Sequence, residues 1–374
     1  MVLALLLVVP GVSYAQALTY PGSASWQDRT VEWVRDHGGG GAVNAVENWL
    51  YSRQVPSQAA PAPVRLPGWD ADRPGAAPAL PAPTSRPASR RSGVLAAATA
   101  PPALPVLSAW RALAGEGVWV PGRVDAAGRP ALFTSYLRPD PRYAGVVVGV
   151  AWIRSADTVA HLVPGTREPG GIWPGTASVP AADVPGLVAT FNSGWRTRDH
   201  PGGFYLDGAG AGTLQDGLAS LVIDRSGHVR VGQWGRDVTM SADVRAVRQN
   251  LHLVVDGGAP VPGLPANADD RWGSPYNQHQ YTWRSGIGTD KHGNLVYVAG
   301  AGLTLATLAD AMTAAGIDRG MELDIHKGKV AFASWHPVGA GVAAPKRLLP
   351  DMPSLPDRYL APDQRDFFYL TLGP

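Results

Sequence analysis

The sequence predicts a mixed α+β protein: a hairpin-rich β-sheet core with one βαβ crossover, preceded by a short helical segment and a Pro/Ala-rich linker. Three observations carry that prediction. Short apolar-rich runs bounded by Gly, Pro, Asp or Asn recur between Gly145 and Ala299, as strands and turns do. One strong helical period follows, from Thr304 to Gly316. The 45 Gly and 35 Pro among 374 residues fit neither a helical bundle nor a coiled coil.

Apolar residues make up 45% and charged residues 17%, enough apolar surface for a buried core. Lys+Arg 32 against Asp+Glu 30 leaves +2, too small a surplus to make nucleic acid the default partner. The Cys count of zero excludes disulfides, thiolate zinc sites, Fe–S clusters and cysteine nucleophiles.

Taken in order, Val2–Val9 is an apolar run followed by Pro10-Gly11 and by small residues at Ser13, Ala15 and Ala17. It reads as an export signal cleaved after Ala15 or Ala17, or as the remnant of an anchor, over residues 1–17. The run is too short to span a bilayer. The expected location of the mature chain is therefore secreted or envelope-associated. Residues 18–55 read as a helical hairpin: Ser25 caps a helix carrying Trp26, Val31, Trp33 and Val34, and a second helix from about Ala42 to Arg53 repeats Val43, Val46, Trp49 and Leu50 at helical spacing. Such faces either dock on the main domain or form a partner-binding arm.

Residues 56–105 hold 12 Pro and 14 Ala with no sustained period, which is a linker. Arg86, Arg90 and Arg91 there fit a solvated spacer or contact with an acidic wall polymer. Residues 106–374 form the main domain. Its strand signals are Gly145–Ile153, Gly186–Phe191, Ala219–Ile223, His228–Gln233, Leu251–Asp256 and Asn294–Ala299, with a hairpin at Asp224–Gly227. Thr304 caps a helix carrying Leu305, Leu308, Ala309, Met312 and Ala315, and Gly316 stops it. Met321–His326 then alternates as a half-exposed strand.

No Walker loop, HExxH or GxSxG is present, so ATP and serine-hydrolase chemistry have no support. Four segments place polar residues at strand ends. Asn192-Ser193-Gly194-Trp195, with Arg198 beyond, offers an amide, bare backbone donors and a flat ring for a sugar, and is also ordinary turn chemistry. Asn250 precedes a run that ends at Asp256-Gly257-Gly258, either a ligand contact or an Asp-Gly turn. Arg284 in Trp283-Arg284-Ser285-Gly286-Ile287-Gly288 suits a phosphate or a surface ion pair. Strict alternation puts Glu322, Asp324 and His326 on one face and Met321, Leu323 and Ile325 on the other. That polar face suits proton transfer, a hard metal, or plain solvation.

In this order the segments resemble the phosphodiester glycosidase family, the N-acetylglucosamine-1-phosphodiester alpha-N-acetylglucosaminidase-like group, in an exported actinobacterial-type branch. Asn192-Ser193-Gly194-Trp195 is similar to the family's Asn-Gly-Gly-Phe loop. Arg284–Gly288 is similar to its Arg-Thr/Ser-Ala-Ile-Gly strand, and Gly302–Ala309 to its Gly-Leu-Thr helix start. Val247–Leu251 and Arg365-Asp366-Phe367-Phe368 complete the branch pattern. The family's Leu-Asp-Gly-Gly-Gly-Ser strand end is kept only at Leu323-Asp324, with Ile325-His326-Lys327-Gly328 in place of the glycines.

The resemblance implies a hydrolase acting on a sugar-1-phosphodiester at the membrane or wall periphery, without cofactor, metal or nucleic acid. By the same resemblance Asp324 is the catalytic carboxylate with Glu322 as helper, and Arg284 is the phosphate clamp with Arg198 or His326 assisting. Asn192, Gly194, Trp195, Asn250, Asp256 and Gly288 then line the substrate site. Two other classes stay open: a glycan-binding module using Trp195, Trp283 and Trp335, and a metal-dependent phosphodiesterase using Asp324, His326 and Asp256 or His336.

Overall fold

The computed structural model describes residues 2–20, 22, 25–62, 66, 100–107, 110–274, 280–339 and 342–373. Most of the expected linker, 63–65 and 67–99, lies outside the described residues. Four α-helices are described: α1 (Val2–Thr19), α2 (Trp26–Val34), α3 (Gly40–Tyr51) and α4 (Leu305–Ala314). The strands run β1 (Val120–Pro121), β2 (Leu132–Leu137), β3 (Val148–Ile153), β4 (Thr158–Val163), β5 (Leu187–Asn192), β6 (Phe204–Leu206), β7 (Ala209–Ala211), β8 (Ala219–Asp224) and β9 (Val229–Gln233). They continue as β10 (Val244–Gln249), β11 (Leu253–Asp256), β12 (Ala259–Pro260), β13 (Thr282–Asp290), β14 (Leu295–Leu303), β15 (Ile317–Ile325), β16 (Phe332–Gly339), β17 (Val342–Arg347) and β18 (Phe367–Leu372). The fold is mixed α+β and mostly β, as the sequence predicts.

Three sheets form: eight strands in the order β1-β2-β3-β14-β13-β15-β11-β12, five as β7-β6-β10-β8-β9, and five as β17-β16-β5-β18-β4. Side-chain alternation divides the first sheet's residues between two cores. Ile153, Leu295, Tyr297 and Met321 meet residues of the other two sheets in a shared core, whereas Val150, Val296 and Val298 pack with Leu305, Leu308 and Met312 of α4. β14 and β15 each pair antiparallel with β13 and so run parallel to one another, with α4 connecting them. This is the expected crossover, with one strand between its arms.

Local chemistry sets the elements the sequence shows best. Thr304 and Thr307 close a capping box at the start of α4. Gly316 takes φ +83° just past its end, a left-handed stop that costs glycine little. In the β8–β9 hairpin, Asp224 Oδ1 accepts from the backbone N–H groups of Ser226 and His228, and Asp224 lies below the usual carboxylate range because these donors and Ser226 outweigh its burial.

The N-terminal helices depart from expectation in how they dock. Ser25 caps α2 through a box with Asp28, and Arg35 reaches back to Glu47 of α3 at 2.5 Å. Yet Trp26, Val46 and Trp49, part of the expected apolar face, are 64%, 63% and 56% exposed. Contact with the domain runs mainly through polar groups instead, beside the stack of Tyr51 on His326. Glu32 meets Arg196 and Lys329, Asp36 meets Arg198, and Asn48 meets Gln280.

Candidate functional site

The site forms where the end of β15 meets the end of β5, in two different sheets. The Asp324 N–H donates to the Ser193 carbonyl at 3.1 Å. Asn192 Nδ2 donates to Ser285 Oγ at 3.1 Å, and Ser285 Oγ donates to the Asp324 carbonyl at 2.9 Å. Asn192 Oδ1 in turn accepts from Tyr297 Oη and from the Ala331 N–H. Asn192 is 4% exposed, and its amide is consumed in welding three strands together. It is a framework residue rather than a sugar contact.

Asn250 is also framework. Its Oδ1 accepts from the Trp195 N–H and its Nδ2 donates to the Glu322 carbonyl at 2.7 Å. Gly194 permits this approach, because a Cβ there would lie 2.9 Å from the Asn250 side chain. The Gly194 carbonyl accepts from Arg365 Nη2 at 2.8 Å.

The strict alternation expected of Met321–His326 is broken by the register. Arg284 pairs with Ile325 and Gly286 with Glu322, so three steps of β15 oppose two of β13. That extra residue is a bulge, which re-aims side chains. Glu322 turns inward, where its Oε1 accepts from Arg284 Nη1 at 2.6 Å, both side chains being 0% exposed. Arg284 Nε also donates to the Leu303 carbonyl. Arg284 is thus a buried counter-ion of Glu322, and neither residue lines the cleft. This corrects the expectation of Arg284 as a phosphate clamp and of Glu322 as a catalytic helper.

Asp324 goes the other way, to a salt bridge with Arg365 Nη2 at 2.8 Å. A cleft of about 720 Å³ opens here, with Trp195, Asp324, His326, Lys329 and Arg365 on the domain side and Glu32 and Tyr51 on the helical side. Burial pushes Asp324 above the ordinary carboxylate range, with Arg365 and Lys329 pulling against it. His326 stacks on Tyr51 at 4.8 Å with a 10° interplanar angle. Burial, then Arg284 and Arg35, hold its ring down to about 3, so it is neutral at physiological pH. Its backbone φ is +77°, a conformation that favours glycine.

The remaining expected site residues fall elsewhere. Asp256 pairs in register with Arg319 and bridges to Arg236 at 2.8 Å, five residues and about 16 Å of strand from Asp324. Gly288 lies inside the sheet, where a Cβ would meet Ile317 at 2.4 Å. Arg198 is engaged by Asp36 at 2.5 Å. Trp335 is fully buried and donates to Thr190, which removes it as a glycan platform. His336 faces Ser334 on β16, so the metal set named with Asp324 is dispersed. Among the described residues no three His, Cys, Asp or Glu side chains are grouped to share an ion.

The sequence does not single out Arg196, Lys329, Glu32 or Tyr51, and Arg365 stands in it only within the terminal Arg365-Asp366-Phe367-Phe368 pattern. No local signal marks Lys329 or Glu32, which meet across 297 positions.

No curated protein matches the chain. Among solved structures it is similar to the zebrafish N-acetylglucosamine-1-phosphodiester alpha-N-acetylglucosaminidase catalytic domain auto-inhibited by pro-peptide, at 15% identity and a TM-score of 0.43, over 66% of this chain and 84% of that one. It is also similar to a hypothetical protein from Synechocystis at 13% identity and a TM-score of 0.35, over 61% and 59%. The segment from β5 to Asp324, which supplies the Asn192 weld, the Arg284–Glu322 pair and the cleft carboxyl, coincides with a family model: residues 185–324 match the phosphodiester glycosidase family.

Proposed function

We propose that this chain is an exported hydrolase that cleaves a sugar-1-phosphodiester in an envelope or extracellular glycan. One observation carries the reading: Asp324, the last residue of the family-matched segment, presents its carboxyl to a cleft of about 720 Å³ while paired to a cation, Arg365. The apolar run Val2–Val9 supports export, and no helix among the described residues is long and apolar enough to cross a membrane.

The chemistry fits those groups. The leaving group of such a substrate is a phosphate monoester, already a stable anion, so departing charge needs a cation more than a strong acid. Arg365 takes the role expected of Arg284. Water attacks the anomeric carbon, the bond from that carbon to the phosphate oxygen breaks, and the water proton passes to the Asp324 carboxylate, whose proton affinity burial has raised. Trp195, half-buried at the cleft wall, supplies a face for the sugar ring.

Asp324→Asn keeps shape and removes the base. Hydrolysis of a glycosyl-1-phosphodiester falls by ~10² or more with KM little changed, and chelator leaves the wild type active. Full turnover by the variant, or loss on chelation that a divalent metal restores, would sink the mechanism. Wild-type protein that binds envelope glycans and cleaves none of the phosphodiesters offered supports the binding-module class instead.

A further inference from the structure

At the end of β10 three polar residues in succession, Arg248, Gln249 and Asn250, are fully buried. Polar groups placed there need partners. The Arg248 guanidinium has them on every side: Nε donates to Asp366 Oδ2 at 2.7 Å, Nη1 to the Gln249 carbonyl at 2.6 Å, and Nη2 to the Trp195 carbonyl at 2.5 Å and to Asp366 Oδ1 at 3.4 Å. His200 Nε2 lies 3.0 Å from Nη1. Burial, then Arg248 itself, hold His200 down to about 3, so its ring adds no second positive charge beside the guanidinium at neutral pH.

Two of the groups it holds lead straight to the cleft. Asn250 stands two residues on from Arg248, and its Oδ1 accepts from the Trp195 N–H at 3.2 Å. The Trp195 backbone is thus gripped on both polar atoms, the N–H by Asn250 and the carbonyl by Arg248. Asp366 is the chain neighbour of Arg365, whose Nη2 bridges to Asp324 at 2.8 Å. The sequence patterns Val247–Leu251 and Arg365–Phe368 therefore meet in one ion pair, 0% exposed on both sides, across 118 positions. Stability alone does not account for such a pair, because an apolar pair of similar volume often stabilises as well. We infer that Arg248 is a positioning residue, one guanidinium that fixes the Trp195 wall and, through Asp366, the Arg365 cation of the cleft.

Its part in a reaction rests on the hydrolase reading above. There Trp195 faces the sugar ring and Arg365 the departing phosphate, so the span between ring and cation has to match the substrate's own. Arg248 joins the two backbones that set that span, and a misplacement of about 1 Å costs on the order of 10² in rate. Lysine at 248 keeps a charge opposite Asp366 but loses the fork that also reaches the Trp195 carbonyl. Asp324 registers the same change. Arg365 and Lys329 pull its proton affinity down, burial and Glu32 push it up, and Glu322 and Arg358 lie within reach of its charge. A loosened Arg365 therefore lets Asp324 rise.

The test is Arg248→Lys in the full chain, with Arg138→Lys as control. Arg138 forms an equally buried pair with Glu116 at 2.9 Å, on β2, four strand spacings from β15, about 19 Å. The substrate probe is the methyl phosphodiester of glucose 1-phosphate, assayed at temperatures where each protein is folded. Arg248→Lys is expected to lower kcat at least about tenfold and to move the acid limb of kcat/KM to higher pH. Arg138→Lys is expected to lose stability with kcat and acid limb unchanged. The same kcat and the same acid limb in both variants overturn the positioning role. Should Arg248→Lys fail to fold, Asp366→Asn weakens the same ion pair at constant shape and is expected to act in the same direction. A crystal structure of either variant reads the geometry without turnover: Arg365 Nη2 should lie beyond about 3.5 Å from Asp324, and an unmoved Arg365 and Trp195 overturn the inference. The two readings separate here. No turnover by wild type with Arg365 displaced in the variant keeps the positioning role and removes the hydrolase; wild-type turnover with both residues unmoved keeps the hydrolase and removes the positioning role.

Discussion

Around Ile287, Met321 and Leu323 the neighbours are apolar and at most 1% of each side chain meets solvent. The contact between the N-terminal helices and the domain has a largely opposite composition: Glu32, Asp36, Arg196, Arg198 and Lys329 dominate it, beside the Tyr51–His326 stack, while Trp26, Val46 and Trp49 face outward. The sheets therefore cohere through area removed from water, which salt strengthens or leaves alone. The helices adhere through charges that salt screens over about 8–10 Å. One molecule thus holds one part together by burial and another mainly by charge.

The largest expected effect lies in the sheet core. Glu322→Ala leaves Arg284 charged, buried and without that partner, which should cost about 3–5 kcal/mol in urea unfolding. A loss under about 1 kcal/mol would show that the core tolerates a lone charge, and the contrast with the helical contact would collapse.

Acid provides the next. Burial and the nearby Arg248 hold His200 down to about 3, and His326 lies at about 3 as well. Each is neutral when folded and takes a proton near 6.5 when unfolded, so the stability they confer is complete above about 6.5 and is lost as pH falls toward 3. His200, beside the buried Arg248–Asp366 pair, should govern global unfolding, whereas His326, stacked on Tyr51, should govern release of the helices. His200→Gln is expected to flatten the pH dependence of the melting temperature between those limits; an unchanged slope excludes it as the sensor.

Salt sharpens the comparison without mutation. Raising NaCl to about 1 M, where the Debye length is about 3 Å, should speed hydrogen exchange over 26–51 while leaving exchange in β13 and β15 unchanged. Equal protection at both salt levels would mean that the helices are held by something other than charge. The smallest effect belongs to the outward apolar face, where Trp49→Ser should shift stability by no more than about 0.5 kcal/mol, read from the same melts.

What was legible in the sequence was what is local. The α4 cap and the Asp224 turn lie within four residues of their partners, and their positions agree with the structure. Along β13 the sequence points to a ligand contact, with Arg284 as the binding group and its glycines permitting close approach. Its glycines are there because neighbours press close, Met312 on Gly286 and Ile317 on Gly288, and no single-chain pattern reports such a neighbour. The site divided along the same line. Asp324 stood out at a strand end, but the bulge that separates it from Glu322 is a property of the pairing with β13. The partners Arg365 and Lys329 gain meaning only once the chain has closed.

His326 holds a left-handed backbone with a full side chain, at a strain of about 1–2 kcal/mol relative to a right-handed residue. The turn thus takes a shape that glycine adopts easily, with a full side chain in place. A glycine at this one position would hold the same corner without the strain, at the loss of the ring that stacks on Tyr51.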